Sequence, residues 1–312
     1  MLYLGIDIGG TGIKVGLVDD QGQIRQHAEM PTRASEGPNP VLDRVQQLAG
    51  SLTGRSREAV SGCGVGCAGR IDHQKGTVVF ASGNLPGWSG LALGPELSRR
   101  LALPVTVDND VNAAAAAEGW VGTARGTADF VMLTLGTGVG GAVVIGGQLW
   151  RGARWGAGEV GHTALYPHGL PCNCGGRGCA EQYVSAKALT RRASAALKGG
   201  RPFHGIREVL TQADRGREGR KEAAHAAVEG FTSDLALLLV NLQQSFDPQV
   251  IVIGGGITKL GYWWDRLVEA TAREARPRSL TIRVKPAHFG PQSGVVGAAR
   301  LAMLVGRRAD RG

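Results

Sequence analysis

Apolar and polar residues alternate over LYLGIDIG near the start of the chain, and the alternation returns in GIKVGLVDD after a glycine-rich break. A period of two predicts strands, and the glycines between them predict a hairpin. A turn at DDQG, residues 19–22, leads into QIRQHAEMPT, a third strand, so the chain opens antiparallel. Residues 40–58 carry helical spacing, VSGCGVGCAGRID returns to strand, and the first hundred residues therefore read as α/β. LPVTVDND is a strand that runs into the Ala-rich helix AAAAAEGW, with Asn and acidic residues at the junction. DFVMLTLGTGVGGAVVIGGQL then repeats the opening design of strand, Gly/Thr turn and strand. The likeness of residues 4–18 to 131–145 predicts two similar halves facing each other. Residues 185–245 are mainly helical, QVIVIGGGIT is a strand entering glycines, and GVVGAARLAML is a closing helix.

Composition narrows the class. A chain of 312 residues with 43% hydrophobic and 20% charged positions is globular and long enough for two domains sharing a cleft. No basic leader precedes a long apolar run, and no stretch reaches about 18 uninterrupted apolar residues, so a cytoplasmic protein without a membrane segment is expected. The net charge of +9 is spread out, with local clusters at Arg99–Arg100, Arg191–Arg192 and Arg307–Arg308. Lacking a basic helix-turn-helix pattern or aromatic–basic interleaving, this charge suits an anionic nucleotide better than a nucleic acid. Fifty glycines without a collagen-like period suggest tight turns and close backbone approach to a ligand.

Three glycine turns follow strands. Asp7, Gly9, Gly10, Thr11 and Lys14 form the first: unshielded backbone N–H groups can approach phosphate oxygens, Thr11 adds a donor, and Asp7 could hold hydrated Mg²⁺. Gly136, Thr137 and Gly138 repeat the arrangement, so two hairpins could grip one polyphosphate. Gly254, Gly255 and Gly256 supply a third turn able to lie flat against adenosine. None fits GxxxxGK[ST], and glycines leading into a strand argue against a Rossmann fingerprint. Together the three turns resemble the actin, hexokinase and Hsp70 type of ATPase, which implies two actin-like (ribonuclease H-like) α/β domains around a nucleotide and sugar cleft.

His162, Cys172, Cys174 and Cys179 have the spacing H-x9-C-x-C-x4-C, with glycines between the last two cysteines. Three thiols and an imidazole in one polar loop fit a closed tetrahedral Zn²⁺ site. A disulfide would leave one of the three unpaired, and Cys63 and Cys67 fall in an apolar strand as core residues.

The block from Glu159 to His162, followed by CNCGGRGCAE over residues 172–181, is similar to the signature of the ROK family (repressors, open reading frames and kinases). With the Asp7 motif and Asn109–Asp110, the resemblance covers nearly the whole chain. It implies that Glu159, His162 and Glu181 bind sugar hydroxyls, and that the loop from Ser82 to Trp88 faces the sugar through Asn84. A zinc-bound imidazole has its second nitrogen fixed as N–H, which would make His162 an oriented donor. Read without the resemblance, the same loop is a type-II-like turn at Pro86–Gly87 with Trp88 in the core.

Phosphoryl transfer to a neutral alcohol needs an in-line hydroxyl and a carboxylate to accept its proton. Strand alternation sends Asp108 and Asp110 to the same side, so spacing does not choose between them. The resemblance does: ROK kinases carry the base in an Asn–Asp pair at the start of an Ala-rich helix, which makes Asp110 the base and Asn109 a sugar ligand. The implied enzyme transfers phosphate from ATP with Mg²⁺ to a hexose, glucose first, as a homodimer or homotetramer. N-acetylglucosamine or N-acetylmannosamine is the alternative acceptor, with fructose, allose and a polyphosphate donor further off. A sugar-responsive repressor needs a winged-helix region before the glycine motif, and Asp7 leaves no room for one. The first domain is expected over residues 1–110 plus 297–312, and the second, with the zinc loop, over 111–296.

Overall fold

In a computed structural model, which describes residues 1–81, 83–259 and 261–309, the opening alternation is a three-stranded meander. Strand β1 (Leu2–Ile8) pairs antiparallel with β2 (Gly12–Asp19), and β2 with β3 (Ile24–Pro31). The even positions Leu4, Ile6 and Ile8 cluster with Val41, Leu42 and Val45 of helix α1 (Pro38–Thr53). Strand β4 (Val60–Cys67) runs parallel to β1. After the small hairpin of β5 (Arg70–Asp72) and β6 (Thr77–Phe80) comes helix α2 (Leu93–Leu101). Strand β7 (Val105–Asn109), parallel to β4, leads directly into helix α3 (Asp110–Val121). The sheet order is β3-β2-β1-β4-β7. Burial pushes the thiols of Cys63 and Cys67 far above the usual range, as expected of inert core residues in β4.

The design recurs. Strand β8 (Phe130–Leu135) pairs antiparallel with β9 (Val139–Ile145), and the short β10 (Gln148–Trp150) follows. The cysteine-rich loop leads to the helices α4 (Glu181–Val184), α5 (Ala186–Ala195), α6 (Ile206–Arg215) and α7 (Arg220–Phe246). Strand β11 (Val250–Gly254) lies parallel to β8, and beyond α8 (Trp264–Ala275) strand β12 (Val284–Pro286) lies parallel to β11. The order β10-β9-β8-β11-β12 reproduces that of the first sheet strand for strand, so the internal repeat seen in the sequence is a repeat of topology. Among the described residues, α7 is the one helix long and apolar enough to cross a bilayer by length and composition. Its Phe231, Leu235 and Leu239 are fully buried against Leu133, Ile253 and Trp263, as in the core helix of an α/β unit.

Helix α9 (Ser293–Ala309) closes the chain. It lies on the face of the first sheet opposite α1, where glycines replace side chains. A Cβ on Gly64 would stand 1.7 Å from the Ala298 carbonyl oxygen, and one on Gly297 1.6 Å from that of Ala113. Such approaches exclude every other residue and explain part of the glycine excess. They also move the domain boundary. The chain forms two compact units, residues 1–126 with 149–157 and 291–312, and residues 127–148 with 158–290. The boundary expected at residue 110 gives way because α3, with its small alanines, packs on α9 and so belongs wholly to the first unit.

Candidate active site

In the first unit the parallel strands β1, β4 and β7 place Asp7, Cys67 and Asn109 near their carboxyl ends, with Asp7 beside Gly66 and Cys67 beside Asn109 in register. Ligands of open α/β sheets collect beyond such ends. The first glycine turn is closed by a bond from Gly9 N–H to the Gly12 carbonyl, 3.0 Å, and is braced by Thr32, whose hydroxyl donates to the Gly9 carbonyl at 2.6 Å. Thr11 is exposed at its tip. Lys14, expected among the nucleotide-binding residues of this turn, lies 3.7 Å from Asp7 and donates to the Pro291 carbonyl at 3.0 Å. Burial raises the Asp7 carboxyl above its ordinary range, and Lys14 opposes that rise.

The loop carrying Asn84 meets this turn. A Cβ on Gly10 would come within 3.2 Å of the Asn84 Cβ, so glycine lets the two segments touch. Leu85 and Trp88 are buried and Gly87 has φ 80°, which makes the Pro86–Gly87 turn a rigid base that leaves Asn84 exposed. Ser82, the first residue of that motif, lies outside the described residues.

Alternation alone left Asp108 and Asp110 equivalent. The structure separates them. Asp108 is 2% exposed and receives Arg151 Nη2 at 2.6 Å and Nε at 2.8 Å. Its other oxygen accepts from Asn112 Nδ2 and from the Asn109 N–H, both at 2.8 Å. With both oxygens occupied, Asp108 is a structural strut. Asn109 caps α3: its Oδ1 accepts from the Val111 and Asn112 N–H groups at 2.8 and 3.2 Å, and its Nδ2 donates to the Gly69 carbonyl at 2.9 Å. The cap is therefore Asn109, and Asp110 is the first helical residue, partly exposed. Arg151→Ala leaves a buried carboxylate unpaired and is expected to lower unfolding free energy by about 3 kcal/mol. Urea denaturation reads this, and an unchanged midpoint would contradict it.

In the second unit the glycine turn after β8 is closed by Gly136 N–H on the Gly138 carbonyl at 3.0 Å, with Thr137 exposed at the tip, a counterpart of the first that is one residue shorter. The third turn touches it: a Cβ on Gly255, φ 101°, would stand 2.2 Å from the Leu135 carbonyl oxygen. Val139 is where three expected site elements meet. Its N–H donates to Glu181 Oε2 at 3.0 Å, and its carbonyl abuts Gly161, where a Cβ would stand 2.1 Å away. The turn carrying Glu159 and His162 thus rests on β9 beside Glu181, and Glu159 itself is exposed. A cavity of about 480 Å³ begins at Thr137 and is lined by Lys187, Arg191, Phe203 and His204. Sequence reading missed these four, because they lie on helix α5 and the loop before α6 without a motif.

The side-chain ligand atoms of His162, Cys172, Cys174 and Cys179 lie within 4.8 Å of one another. His162 Nδ1 is 3.7 Å from Cys172 Sγ, and Cys174 Sγ is 3.6 Å from Cys179 Sγ. A tetrahedral ion about 2.3 Å from sulfur sets its ligand atoms about 3.8 Å apart, so the cluster has the dimensions of a Zn²⁺ site. The Gly176 amide holds the Cys174 thiol below its ordinary range, favouring the thiolate a cation needs. Nδ1 faces the sulfurs, which leaves Nε2 as the outward nitrogen of His162. The loop is tied to α7 by Tyr166, whose hydroxyl donates to Asp234 at 2.6 Å and is pushed up to about 12 by that bond, while Arg192 pairs with the same carboxylate.

Comparison with known proteins fits this geometry. Residues 3–304 match the family described as ROK. The chain belongs to the ROK family. This ROK chain is 34% identical over 320 residues to a glucokinase of Streptomyces coelicolor, covering 96% of its own length and 97% of the relative's. It is 33% identical over 303 residues to an N-acetylmannosamine kinase of Shigella flexneri, covering 97% and 98%. Among solved structures it superposes with TM-score 0.81 and 31% identity on a ROK glucokinase from Streptomyces griseus in complex with glucose and AMPPNP, covering 97% and 100%. The chain is thus a sugar kinase of the actin and hexokinase superfamily with a mixed α/β fold, and its Cys3His cluster could bind zinc.

Proposed function

We propose that this ROK chain is an ATP-dependent hexokinase that phosphorylates glucose at its 6-hydroxyl, with Asp110 as general base. The observation that carries the reading is the Asp108–Asn109–Asp110 turn. Asp108 braces the turn from behind through Arg151 and Asn112, Asn109 caps α3, and Asp110, partly exposed at the carboxyl end of β7, accepts the Val111 N–H at 3.0 Å. Asp110 stands in the first turn of α3, at the positive end of the helix dipole. In the transfer, the sugar oxygen bonds to the γ-phosphorus as the bond to the β,γ-bridging oxygen breaks. The hydroxyl proton passes to Asp110 and ADP leaves.

The remaining roles follow from donor and acceptor chemistry. Glu159, Glu181, Asn84 and the second Nδ2 hydrogen of Asn109 hold sugar hydroxyls, and His162 donates from Nε2. Gly9, Gly10 and Thr11 with Gly136, Thr137 and Gly138 receive phosphates through backbone N–H groups, and Gly254 to Gly256 flank the adenosine. Magnesium, when bound with the nucleotide, would offset charge on the transferring group, and the half-buried Asp7, whose carboxyl burial raises, is a carboxylate that a nearby cation would stabilise. Lys14 then serves by holding Asp7 rather than by touching phosphate. Zinc on His162, Cys172, Cys174 and Cys179 is structural. A cytoplasmic homodimer or homotetramer completes the proposal.

The Shigella flexneri relative supports a second reading, phosphorylation of N-acetylmannosamine. Initial rates of ADP release over glucose, mannose, N-acetylglucosamine, N-acetylmannosamine, fructose and allose separate the two. Glucose is expected to have the highest kcat/KM. A higher value for either N-acetylated sugar would replace glucose as the substrate.

A further inference from the structure

We infer that Glu181 positions the second glycine turn for the donor phosphates, so that the zinc loop sets nucleotide affinity. The inference rests on the reading that this turn binds the nucleotide. Glu181 stands two residues after Cys179 and opens α4. Its Oε2 accepts from the Val139 N–H, the first amide of β9 after Gly136–Thr137–Gly138. At the other end of the turn, Ala186 N–H donates to the Gly136 carbonyl at 2.9 Å. The segment 181–186 therefore clamps both ends of the turn, and Ser185 fixes the segment in its own place by capping α5 through a bond from Ala188 N–H, 3.1 Å.

The fit leaves no slack. A Cβ on Gly138 would stand 2.3 Å from the same Glu181 oxygen, so a larger residue there would push the carboxylate off the Val139 N–H. On the other side Ala180 N–H donates to the Thr163 carbonyl at 2.9 Å, and Ala164 bridges Cys179. The segments that carry His162 and Cys179 are thereby joined to the residue next to Glu181. A carboxylate acting solely as a sugar ligand would need none of these links to β9. Glu181 is thus a positioning residue for the donor site as well as a candidate sugar ligand.

Isothermal titration with ADP·Mg²⁺ in the absence of sugar separates the roles. Glu181→Ala removes a charged acceptor from a backbone N–H, and ADP affinity is expected to fall about tenfold. Glu181→Gln keeps an oxygen for Val139, so ADP affinity stays within about threefold while the KM for glucose rises. Gly138→Ala drives a methyl into the carboxylate and weakens ADP about tenfold, and adding Glu181→Ala to it causes less further loss than Glu181→Ala alone. Should Glu181→Ala not fold, Gly138→Ala and the chelated wild type, expected to lose ADP affinity similarly, decide the matter. Wild-type ADP affinity in Glu181→Ala with glucose affinity lost, or in Gly138→Ala, would overturn the inference and leave the kinase reading standing. Absence of ADP binding by the wild-type protein would remove both.

Discussion

Asp110→Asn is expected to lower kcat for glucose phosphorylation by about 10²- to 10⁴-fold while leaving glucose affinity and zinc content near those of the wild type. The substitution is close to isosteric, and the surrounding bonds explain why it should act on chemistry alone. The cap of α3 belongs to Asn109, so no helix start is lost. The bond from the Val111 N–H to Asp110 Oδ1, 3.0 Å, has an equivalent acceptor in Asn. Asp108 keeps Arg151 and Asn112, which hold the turn from behind. What disappears is the basic oxygen. Phosphoryl transfer through a loose transition state asks little of a base until the new bond is well advanced, so residual turnover from positioning and charge stabilisation remains. Turnover within about tenfold of wild type would show that Asp110 is not the proton acceptor.

Cys179→Ser is expected to reduce bound zinc from about one ion per chain to near zero at chelator concentrations the wild type withstands. The loop spanning residues 163–180 should become the first site of limited proteolysis. Cys179 is the right residue to test because it is buried and immediately precedes the segment that returns to β9. Three thiols and an imidazole gathered within 4.8 Å could hold a cation as thiolates, and without one no coordination bond joins the four ligand residues into a single site. Loss of the ion should therefore free Ala164 from Cys179 and, through Ala180, loosen Glu181. Glucose KM is expected to rise with it. Metal analysis of the wild-type protein that finds no zinc would contradict the account of this loop directly.

Several of these features are legible in the sequence because they are local. A strand–glycine–strand hairpin announces itself by periodicity, and the two copies share sheet order as well as pattern. The four candidate metal ligands are spaced tightly enough for coordination chemistry to single them out, and the structure gathers them within 4.8 Å; Trp88 is buried under its Pro–Gly turn as expected. The features that sequence reading missed depend on residues far apart in the chain. Arg151 reaches Asp108 across 43 positions, and Glu181 reaches Val139 across 42. No local pattern announces either bond. Antiparallel register sets Lys14 opposite Asp7, a pairing that its place after a glycine turn does not announce. The unit boundary moved for a similar reason: the alanines of α3 read as a generic helix, and only the glycines of α9 reveal which sheet that helix packs with.

The most direct test of the central claim is the product. Purified protein incubated with ATP, Mg²⁺ and glucose, followed by ³¹P NMR, should yield glucose 6-phosphate and ADP in a one-to-one ratio. Inorganic phosphate in place of a sugar phosphate, or a phosphate on any hydroxyl other than the sixth, would contradict it.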